Sequence, residues 1–456
     1  MSVSIILAAG EGTRMKSKLP KVLHKIGGKP ILDYVITASK KAGIKKNVVI
    51  IGHGGSKVKK AFNDREVIFE EQPIGEDAPY GTGYAVKQGI NHVSDDDTVI
   101  VLCGDTPLVT KDTISNLKEF HDKGKYDGTV LTAVLEDATG YGRIVRDKNG
   151  NIEKITEEKD ANEKEKEIKE INTGIYAFKG RLLIEALNEL DDNNAQGELY
   201  ITDVIEILKT KGYNLGACII DDFSDVYGIN SKEQLAFCEK VLRKRINTYH
   251  MEQGVTLIDP ENTYIDQDVK IGKDTVIYPG VFLQGSTIIG EDCTIYSQTR
   301  IVNSKIGDNT EIESSLIEES EVGNLVHIGP NAHLRPKSIL GNNIKIGNFV
   351  EVKNSKLGDG VKAGHLAYIG DGIVGKNVNI GCGVIFANYD GENKNKTIIG
   401  DNAFIGSNSN LVAPVNIGDN AYVAAGSTIT EDVSEGSLSI ARARQVNKDS
   451  YVRKKD

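Results

Sequence analysis

Two patterns of apolar residues divide the chain, and the first runs from the start to about residue 229. Short apolar or β-branched runs such as VSIILAAG, NVVIIGHG and TVIVLCGD alternate there with longer segments of helical character such as ILDYVITASKKAG. This alternation predicts βαβ units around a buried, mainly parallel sheet, which is the α/β Rossmann-like class. Ligands of such sheets bind beyond the carboxyl ends of the strands, where the segments LAAGEG and LCGD fall.

The second pattern occupies the later part of the chain and has a period of six residues. Aliphatic residues recur at every sixth position in two runs, Ile265, Ile271, Ile277, Leu283, Ile289, Ile295 and Ile301, then Ile399, Ile405, Leu411, Ile417, Val423 and Ile429. Neither a helix nor an alternating strand has this period, whereas a hexapeptide solenoid places one inward aliphatic on each flat face of a triangular prism. Between Phe386 and Ile399 the register breaks at ANYDGENKNKT, so we expect this segment to leave the prism as a functional loop.

A connecting helix is predicted between the two patterns. Ser231 and Gln234 offer a capping box at its start, apolar residues recur at helical spacing as far as Tyr249, and Gly254 follows its end. We therefore expect an α/β domain over residues 1–229, a helical linker over 230–250 and a solenoid domain over 251–456.

Composition narrows the classes of function. The 456 residues carry 55 Lys+Arg against 65 Asp+Glu, a formal net charge of -10, which disfavours a nucleic-acid or membrane-surface binder and fits small soluble substrates. The five cysteines form no CxxC pair and have no histidine at ligand spacing, so neither a zinc site nor a disulfide framework is predicted. The N-terminal apolar run lacks a basic leader, and no apolar run reaches the roughly 20 residues of a membrane span, so we expect a cytoplasmic protein.

The first strand leads into LAAGEGTRMKSKLPK, which has the character of a phosphate-binding loop. It is not a P-loop, because the residues after Gly12 are TR, and it is not a dinucleotide fingerprint, because Met15 stands where a third glycine is needed. Its small residues let a flat base lie against the backbone, and its glycine N–H groups can approach phosphate oxygens. Arg14 and Lys21 place two cations on the same triphosphate, where they could neutralise a pyrophosphate leaving group.

A carboxylate ends a second strand, at VLCGDTPL. Gly-Asp in a turn is by itself more often a structural feature. Beside a triphosphate site, however, Asp105 at the carboxyl end of a strand is well placed to hold Mg²⁺. Together with the first loop, this motif predicts a metal site.

Both halves resemble known families. The first loop resembles the signature of sugar-phosphate nucleotidyltransferases, in which a leucine and two small residues lead into Gly-x-Gly-Thr-Arg-Met and then Pro-Lys. The repeat resembles the hexapeptide-repeat acyltransferases, which implies a left-handed parallel β-helix and a homotrimer with active sites between neighbouring prisms. Over nearly the whole chain, the combination is similar to the bifunctional N-acetylglucosamine-1-phosphate uridyltransferase/glucosamine-1-phosphate N-acetyltransferase family.

This resemblance implies a two-step synthesis of UDP-N-acetylglucosamine, a precursor of the bacterial cell envelope. Acetyl-CoA first acetylates the amine of glucosamine-1-phosphate. The phosphate of N-acetylglucosamine-1-phosphate then attacks the α-phosphorus of UTP, and pyrophosphate leaves, with Mg²⁺ as cofactor. Two alternatives stay open: a single-function sugar-phosphate nucleotidyltransferase with a structural or regulatory β-helix, and a non-enzymatic scaffold.

In the first half, the resemblance assigns the nucleotide, the sugar and the metal. The residues for the nucleotide and its phosphates are Leu7, Ala8, Ala9, Gly10, Arg14, Lys21, Gln72, Gly81, Thr82 and Gly104, of which Arg14 and Lys21 are catalytic. Those that seat the sugar are Gly142, Glu157, Asn172 and Thr202, while Asp105 and Asn230 belong to the nucleotide site and bind Mg²⁺. The segment PIGEDAPY after Gln72 is longer than the family pattern, and Cys103 stands where tyrosine is common.

In the second half, His365 is the expected catalytic base. The resemblance assigns glucosamine-1-phosphate to Arg335, Lys353, Tyr368 and Asn379, and acetyl-CoA to Cys382, Asn388, Tyr389, Ser407, Ala425 and Arg442. The chemistry agrees, because an aminosugar has to lose a proton to attack a thioester and a neutral histidine has a pKa near the operating range. A lone corner histidine in a β-helix is more often inert, so this assignment depends on the basic companions of His365 and on the excursion loop.

Overall fold

The structure is a computed structural model that describes residues 1–75, 78–449 and 451. The chain divides into two compact units, Met1–Leu242 and Arg243–Asp456. A helix over Lys232–Glu252 runs across this division, and it begins with the predicted capping box. The N–H of Ser231 donates to Gln234 Oε1 at 3.1 Å, and the N–H of Gln234 donates to Ser231 Oγ at 3.2 Å.

Strands and helices alternate through the first unit. The strands of its main sheet are β1 (Ser2–Ala8), β2 (Lys46–Ile51), β3 (Ile68–Glu71), β4 (Thr98–Cys103), β5 (Gly128–Val134), β6 (Arg143–Arg146), β7 (Ile152–Thr156), β8 (Glu170–Lys179) and β9 (Leu215–Ile219). The helices are α1 (Ile31–Lys41), α2 (Gly55–Ala61), α3 (Thr82–Gly89), α4 (Lys111–Lys123), α5 (Glu163–Lys166), α6 (Gly180–Leu187), α7 (Asp203–Thr210) and α8, the helix Lys232–Glu252. A two-strand hairpin, Lys25–Ile26 with Lys29–Pro30, precedes α1.

The main sheet confirms the Rossmann-like prediction. Its strand order is β9-β5-β8-β4-β1-β2-β3, with β6 paired to β8 and β7 paired to β6. The pairs β4–β1, β1–β2, β2–β3 and β9–β5 are parallel, whereas β8 runs antiparallel to both of its neighbours, as does the β6–β7 pair. Alternate residues of β1 enter separate cores on the two faces, with Ile5 in one cluster and Ile6 in the other. The central strands are therefore apolar on both faces, as parallel sheets covered by helices require.

The second unit is a parallel β-helix. Among the described residues, one flat face carries the strands Thr256–Leu257, Val276–Ile277, Thr294–Ile295, Glu311–Ile312, His327–Ile328, Lys345–Asn348, Lys362–His365, Asn379–Ile380, Phe404–Ile405, Tyr422–Val423 and Leu438–Ser439. The second face carries Tyr264–Ile265, Phe282–Gln284, Arg300–Val302, Leu316–Glu318, His333–Leu334, Glu351–Lys353, Tyr368–Gly370, Ile385–Ala387, Asn410–Val412 and Thr428–Ile429. The third carries Lys270–Ile271, Ile288–Ile289, Lys305–Ile306, Glu321–Val322, Ile339–Leu340, Lys356–Leu357, Gly372–Val374, Thr397–Ile399 and Val415–Ile417.

The sixfold aliphatic positions form the core of this prism, as predicted. All of them are buried except Ile271, which is half-buried near the beginning of the solenoid. The predicted excursion is also present, because the chain leaves the second face after Ala387 and returns to the third face at Thr397. In contrast, Tyr249 is 58% exposed, so the prediction that it continues the apolar stripe of α8 is wrong; Asn247 and His250 are buried instead.

Among the described residues, no helix combines the length and the apolar character that crossing a bilayer requires.

Shortening one inward aliphatic side chain should destabilise the second unit. The truncation leaves a cavity in the core, and the tightly stacked coils cannot shift to fill it. Ile301 is fully buried, and we expect Ile301→Ala to lower the free energy of unfolding by about 2–5 kcal/mol. The measurement is the urea unfolding curve of the full chain. Lys305→Ala, at an exposed position four residues later, is the matched control, and an equal loss in both variants would contradict this account of the core.

Candidate active sites

The predicted phosphate loop follows β1 at the edge of the sheet where the parallel strands end. Leu7 lies opposite Cys103 across the β1–β4 pair, and the N–H of Gly104 donates to the Leu7 carbonyl at 2.9 Å. The motifs LAAGEG and LCGD, far apart in sequence, are therefore side by side. Met15, which occupies the place of the third glycine in a dinucleotide fingerprint, is buried beneath a short 3-10 turn and anchors this loop.

Gly12 allows the loop to approach Lys21. Its φ is +67°, and a Cβ at this position would lie 2.9 Å from the Cβ of Lys21. A side chain here would be strained by the backbone conformation and crowded by the lysine. Lys21 consequently packs on bare backbone, which brings its ammonium group towards the carboxyl end of β4.

A cavity of about 390 Å³ lies at this edge of the sheet. It is lined by the predicted residues Leu7, Ala8, Ala9, Gly10, Arg14, Lys21, Gln72, Gly81, Thr82, Asp105 and Asn230. Sequence reasoning gave no ligand role to five other lining residues, Val22, Tyr80, Ala85, Cys103 and Glu198. Tyr80 belongs to the extra segment PIGEDAPY, so this segment contributes to the wall while Gln72 keeps a buried place within it. The length of that segment was the only signal that pointed to Tyr80.

Two oxygens in this cavity converge on one cation. The Lys21 ammonium donates to Asp105 Oδ2 at 2.5 Å and to Asn230 Oδ1 at 3.0 Å. Asn230 arrives there because the N–H of Ile229 donates to the backbone carbonyl of Asp105 at 2.9 Å. Carboxylate and amide oxygens are the ligands that Mg²⁺ prefers, and it usually takes one or two protein ligands together with substrate phosphates. The residues present therefore fit a divalent cation.

The predicted sugar-binding residues form a second group. A Cβ on Gly142 would lie 3.4 Å from Glu157 Oε2 and 3.5 Å from Asn172 Cβ, so these residues share one surface. Burial raises the pKa of Glu157, and the neighbouring Thr202 hydroxyl partly opposes that rise. A carboxylate and an amide on one wall supply the hydrogen-bond acceptors and donors that hydroxyl groups of a sugar need.

Cys103 connects the sugar group to the nucleotide cavity. Its thiol donates to the carbonyl of Gly174 at 3.3 Å, and Gly174 in turn donates its N–H to Asn172 Oδ1 at 3.0 Å. Burial, followed by the charge of Asp105, raises the pKa of the Cys103 thiol to about 12. The residue is thus a neutral wall of the cavity and not a thiolate nucleophile.

In the second unit, in-register stacking aligns the predicted acetyl-site residues in columns. Ala363 is opposite Ile380, Ile380 opposite Ile405, and Ile405 opposite Val423. The residues two positions later therefore stack on successive coils; they are His365, Cys382, Ser407 and Ala425. Arg442 lies at the end of this column. Gly426 directly follows Ala425, and a Cβ on Gly426 would lie 3.8 Å from Arg442 Cδ. Four of the predicted acetyl-CoA residues thus continue one line that begins at His365.

Basic residues line the second face. Leu334 is opposite Val352, so Arg335 and Lys353 follow on successive coils. Arg335 Nη1 donates to Glu351 Oε1 at 2.8 Å. Sequence reasoning did not identify Lys394 in the excursion loop. This residue lies close to Lys353, and that neighbouring lysine is the main cause of the lowered pKa of Lys394. Two ammonium groups held together in this way form a site suited to a phosphate.

Tyr368 and Asn388 meet above Gly370. A Cβ on Gly370 would lie 2.5 Å from Tyr368 Oη and 2.7 Å from Asn388 Nδ2. One residue predicted for the aminosugar is therefore beside one predicted for acetyl-CoA. Tyr389 is exposed on the excursion loop, and its hydroxyl donates to the Gly391 carbonyl at 2.5 Å.

Two predicted residues stand apart from these contacts. Asn379 lies on the first face, in register with Lys362 and Phe404. The His365 imidazole is exposed and has no hydrogen-bond partner in the part of the chain that the structure describes. An exposed and unpartnered imidazole is free to accept a proton from a substrate.

Both halves match families of known transferases. Residues 3–234 match the nucleotidyl transferase family, residues 268–303 the bacterial transferase hexapeptide (six repeats), and residues 396–431 the hexapeptide repeat of succinyl-transferase. The hexapeptide repeats agree with the left-handed form of the parallel β-helix. Fold and sites define a sugar-nucleotide type of nucleotidyltransferase joined to a hexapeptide-repeat transferase.

Relatives that match both halves narrow this class to one family. The bifunctional protein GlmU of Clostridioides difficile (strain 630) is 55% identical over 99% of this chain and 98% of its own. Those of Geobacillus sp. (strain WCH70) and Alkaliphilus metalliredigens (strain QYMF) are 52% and 50% identical, over 98% and 99% of this chain and 97% and 98% of their own. The chain belongs to the bifunctional GlmU family. It is an enzyme with uridyltransferase and acetyltransferase activities that makes UDP-N-acetylglucosamine, and the single-function alternative is set aside.

Ionised Glu157 should lower the free energy of unfolding at neutral pH, although the residue is predicted to bind the sugar. Because its pKa is raised on folding, the native chain binds this proton more tightly than the unfolded chain does. Stability is therefore lost as the pH rises from about 4.3, the unfolded value, through the folded pKa. Glu157→Gln cannot ionise, so we expect it to be at least as stable as the wild type at pH 8 and to transfer uridylyl groups more slowly.

The measurement is the urea midpoint of both proteins at about pH 5 and pH 8, paired with pyrophosphate release. Glu153→Gln changes an exposed carboxylate on β7, the strand that ends one residue before Glu157, and serves as the control. A Glu157→Gln protein that is less stable than the wild type only at pH 8 would contradict the direction of the shift.

Proposed function

We propose that the solenoid acetylates glucosamine-1-phosphate with acetyl-CoA, and that the α/β unit then joins N-acetylglucosamine-1-phosphate to UTP with release of pyrophosphate. The observation that supports this residue assignment most directly is the cavity beyond the carboxyl ends of β1 and β4, which nearly all of the predicted nucleotide residues line. In the solenoid, the support is the column that starts at His365 on the first face, together with the pair Lys353 and Lys394 at the second face.

In the acetyl step, His365 accepts a proton from the amine as the amine attacks the thioester carbonyl and CoA leaves as the thiolate. Arg335, Lys353 and Lys394 hold the sugar phosphate, while Tyr368 and Asn379 fix the sugar. Asn388, Tyr389 and the column Cys382, Ser407, Ala425 and Arg442 hold acetyl-CoA. Holding both substrates at contact distance supplies much of the rate enhancement.

In the uridylyl step, an oxygen of the sugar phosphate attacks the α-phosphorus of UTP in line, and no protein nucleophile is needed. Arg14 and Lys21 stabilise the negative charge that develops on the leaving pyrophosphate. Asp105 and Asn230 would hold Mg²⁺, which neutralises phosphate charge when it is bound. The same two oxygens hold the Lys21 ammonium, and with Mg²⁺ bound to them Lys21 would be available to contact phosphate.

The proposal also includes the setting in which the enzyme works. The domain boundaries are 1–229, 230–250 and 251–456, the location is the cytoplasm, and the substrates are the small molecules named above. The assembly is a homotrimer, which the hexapeptide repeat supports.

Two variants should separate the two activities. We expect His365→Ala to lower CoA release from glucosamine-1-phosphate and acetyl-CoA by about a hundredfold, because a general base is lost. Pyrophosphate release from UTP and N-acetylglucosamine-1-phosphate should be unchanged in this variant. Asp105→Asn should have the reverse effect, with a loss of about a hundredfold in pyrophosphate release and normal CoA release.

The measurement is the initial rate of both products from wild type and both variants, with Mg²⁺ in the uridylyl assay. Each variant is the control for folding of the other. A variant that loses both activities equally would contradict the assignment of its residue to one site. A wild type that never releases CoA would refute the acetyl site altogether.

The trimer should be evident in solution. Multi-angle light scattering of the purified chain is expected to give three times the mass of one chain, 49.5 kDa. A monodisperse monomer that is fully active in CoA release would refute the proposal.

A further inference from the structure

A buried carboxylate lies where the excursion loop leaves the solenoid. Asp371 is 7% exposed and occupies a corner of the prism with φ +52°. Its Oδ1 accepts a hydrogen bond from Asn354 Nδ2 at 2.5 Å, and its Oδ2 accepts one from Asn388 Nδ2 at 2.5 Å. No salt bridge within 4.0 Å joins it to a described residue, although the positive charge of Lys394 in the excursion loop interacts with it.

A corner of this kind does not need a buried charge. Glu319 and Lys337 occupy left-handed corner positions on earlier coils, and both are exposed to solvent. Burying a carboxylate is costly unless hydrogen bonds compensate for the lost water. At Asp371, the hydrogen bonds come from two amide groups, of which Asn388 belongs to the candidate acetyl site, and the charge of Lys394 adds a longer-range attraction.

The hydrogen bond to Asp371 determines which end of the Asn388 amide remains available. A carboxylate can only accept, so it holds the NH₂ end of the amide. Asn388 is itself only 7% exposed, and its Oδ1 accepts no hydrogen bond from any described residue. Since Asn388 Nδ2 packs above Gly370 beside Tyr368 Oη, this free acceptor belongs to the region where the two substrates would meet.

We propose that Asp371 is a positioning residue for acetyl transfer, which fixes the Asn388 amide so that its Oδ1 accepts a hydrogen bond from an N–H group of a substrate. The inference rests on the proposed acetyl site. Both substrates carry such a group, the amine of the aminosugar and the amides of the pantetheine arm of acetyl-CoA. The shared chemistry is an N–H donor, and kinetics can tell the two sources apart.

Asp371→Asn tests the direction of the hydrogen bond between residues 371 and 388 without changing the size of the side chain. An amide at 371 can donate to Asn388, so the Asn388 amide can turn over and present NH₂ to the substrate, where an N–H donor cannot bind it. We expect the KM for at least one substrate of CoA release to rise about tenfold, the size of one hydrogen bond. Pyrophosphate release should not change. A rise confined to acetyl-CoA assigns the pantetheine arm, and one confined to glucosamine-1-phosphate assigns the amine.

A swapped pair distinguishes positioning from simple packing. In Asp371→Asn with Asn388→Asp, the new amide donates to the new carboxylate, whose second oxygen again faces the substrate as an acceptor. We expect the KM of this double variant to fall back most of the way to the wild-type value. Asn388→Asp alone places two carboxylates together and should be worse than the double variant.

Asn354→Gly is the matched control, because it removes the other hydrogen bond to Asp371 and suits the φ of +47° at that corner. We expect it to leave both KM values within about twofold of wild type. An equal rise of KM in Asn354→Gly, or a KM that stays raised in the swapped pair, would overturn the proposal and leave Asp371 as a packing residue. A wild type without CoA release would instead refute the proposed function, so the two failures are distinguishable.

Discussion

Parallel pairing of strands in register is the constraint on which both candidate sites depend. In the first unit, it places the ends of β1 and β4 next to each other, so that the loop after Ala8 and the carboxylate of Asp105 share one cavity. In the second unit, it stacks residues of successive coils, so that His365 begins a column that continues through Cys382 and Ser407. Both sites therefore follow from where the backbone hydrogen bonds fix each strand relative to its neighbour.

Charge decides what the first site can do. Lys21, Asp105 and Asn230 form a small network in which one ammonium group satisfies two oxygens. The two oxygens are of the type that suits a divalent cation, and the ammonium is of the type that suits a phosphate, so this network holds together groups that the proposed substrates would engage.

The candidate second site combines regular coils of the solenoid with one irregular segment. The excursion over residues 388–396 supplies Lys394 beside Lys353 and brings Asn388 above Gly370. The repeat holds the basic residues and the histidine on successive coils, and the irregular segment adds a further cation beside Lys353. The stacked coils supply a rigid frame, and the excursion supplies additional polar groups.

The sequence by itself determined the two classes of fold, the capping box of α8, the inward aliphatic column and the excursion, because each depends on local periodicity or on neighbouring residues. It also contained the signature from which the nucleotide residues could be named. Only the tertiary structure decided that Lys21 lies between Asp105 and Asn230, that Tyr80 and Glu198 wall the cavity, and that Asp371 holds Asn388. These contacts join residues 17 to 209 positions apart, and such distances are set by how strands pair and coils stack, which no local pattern records.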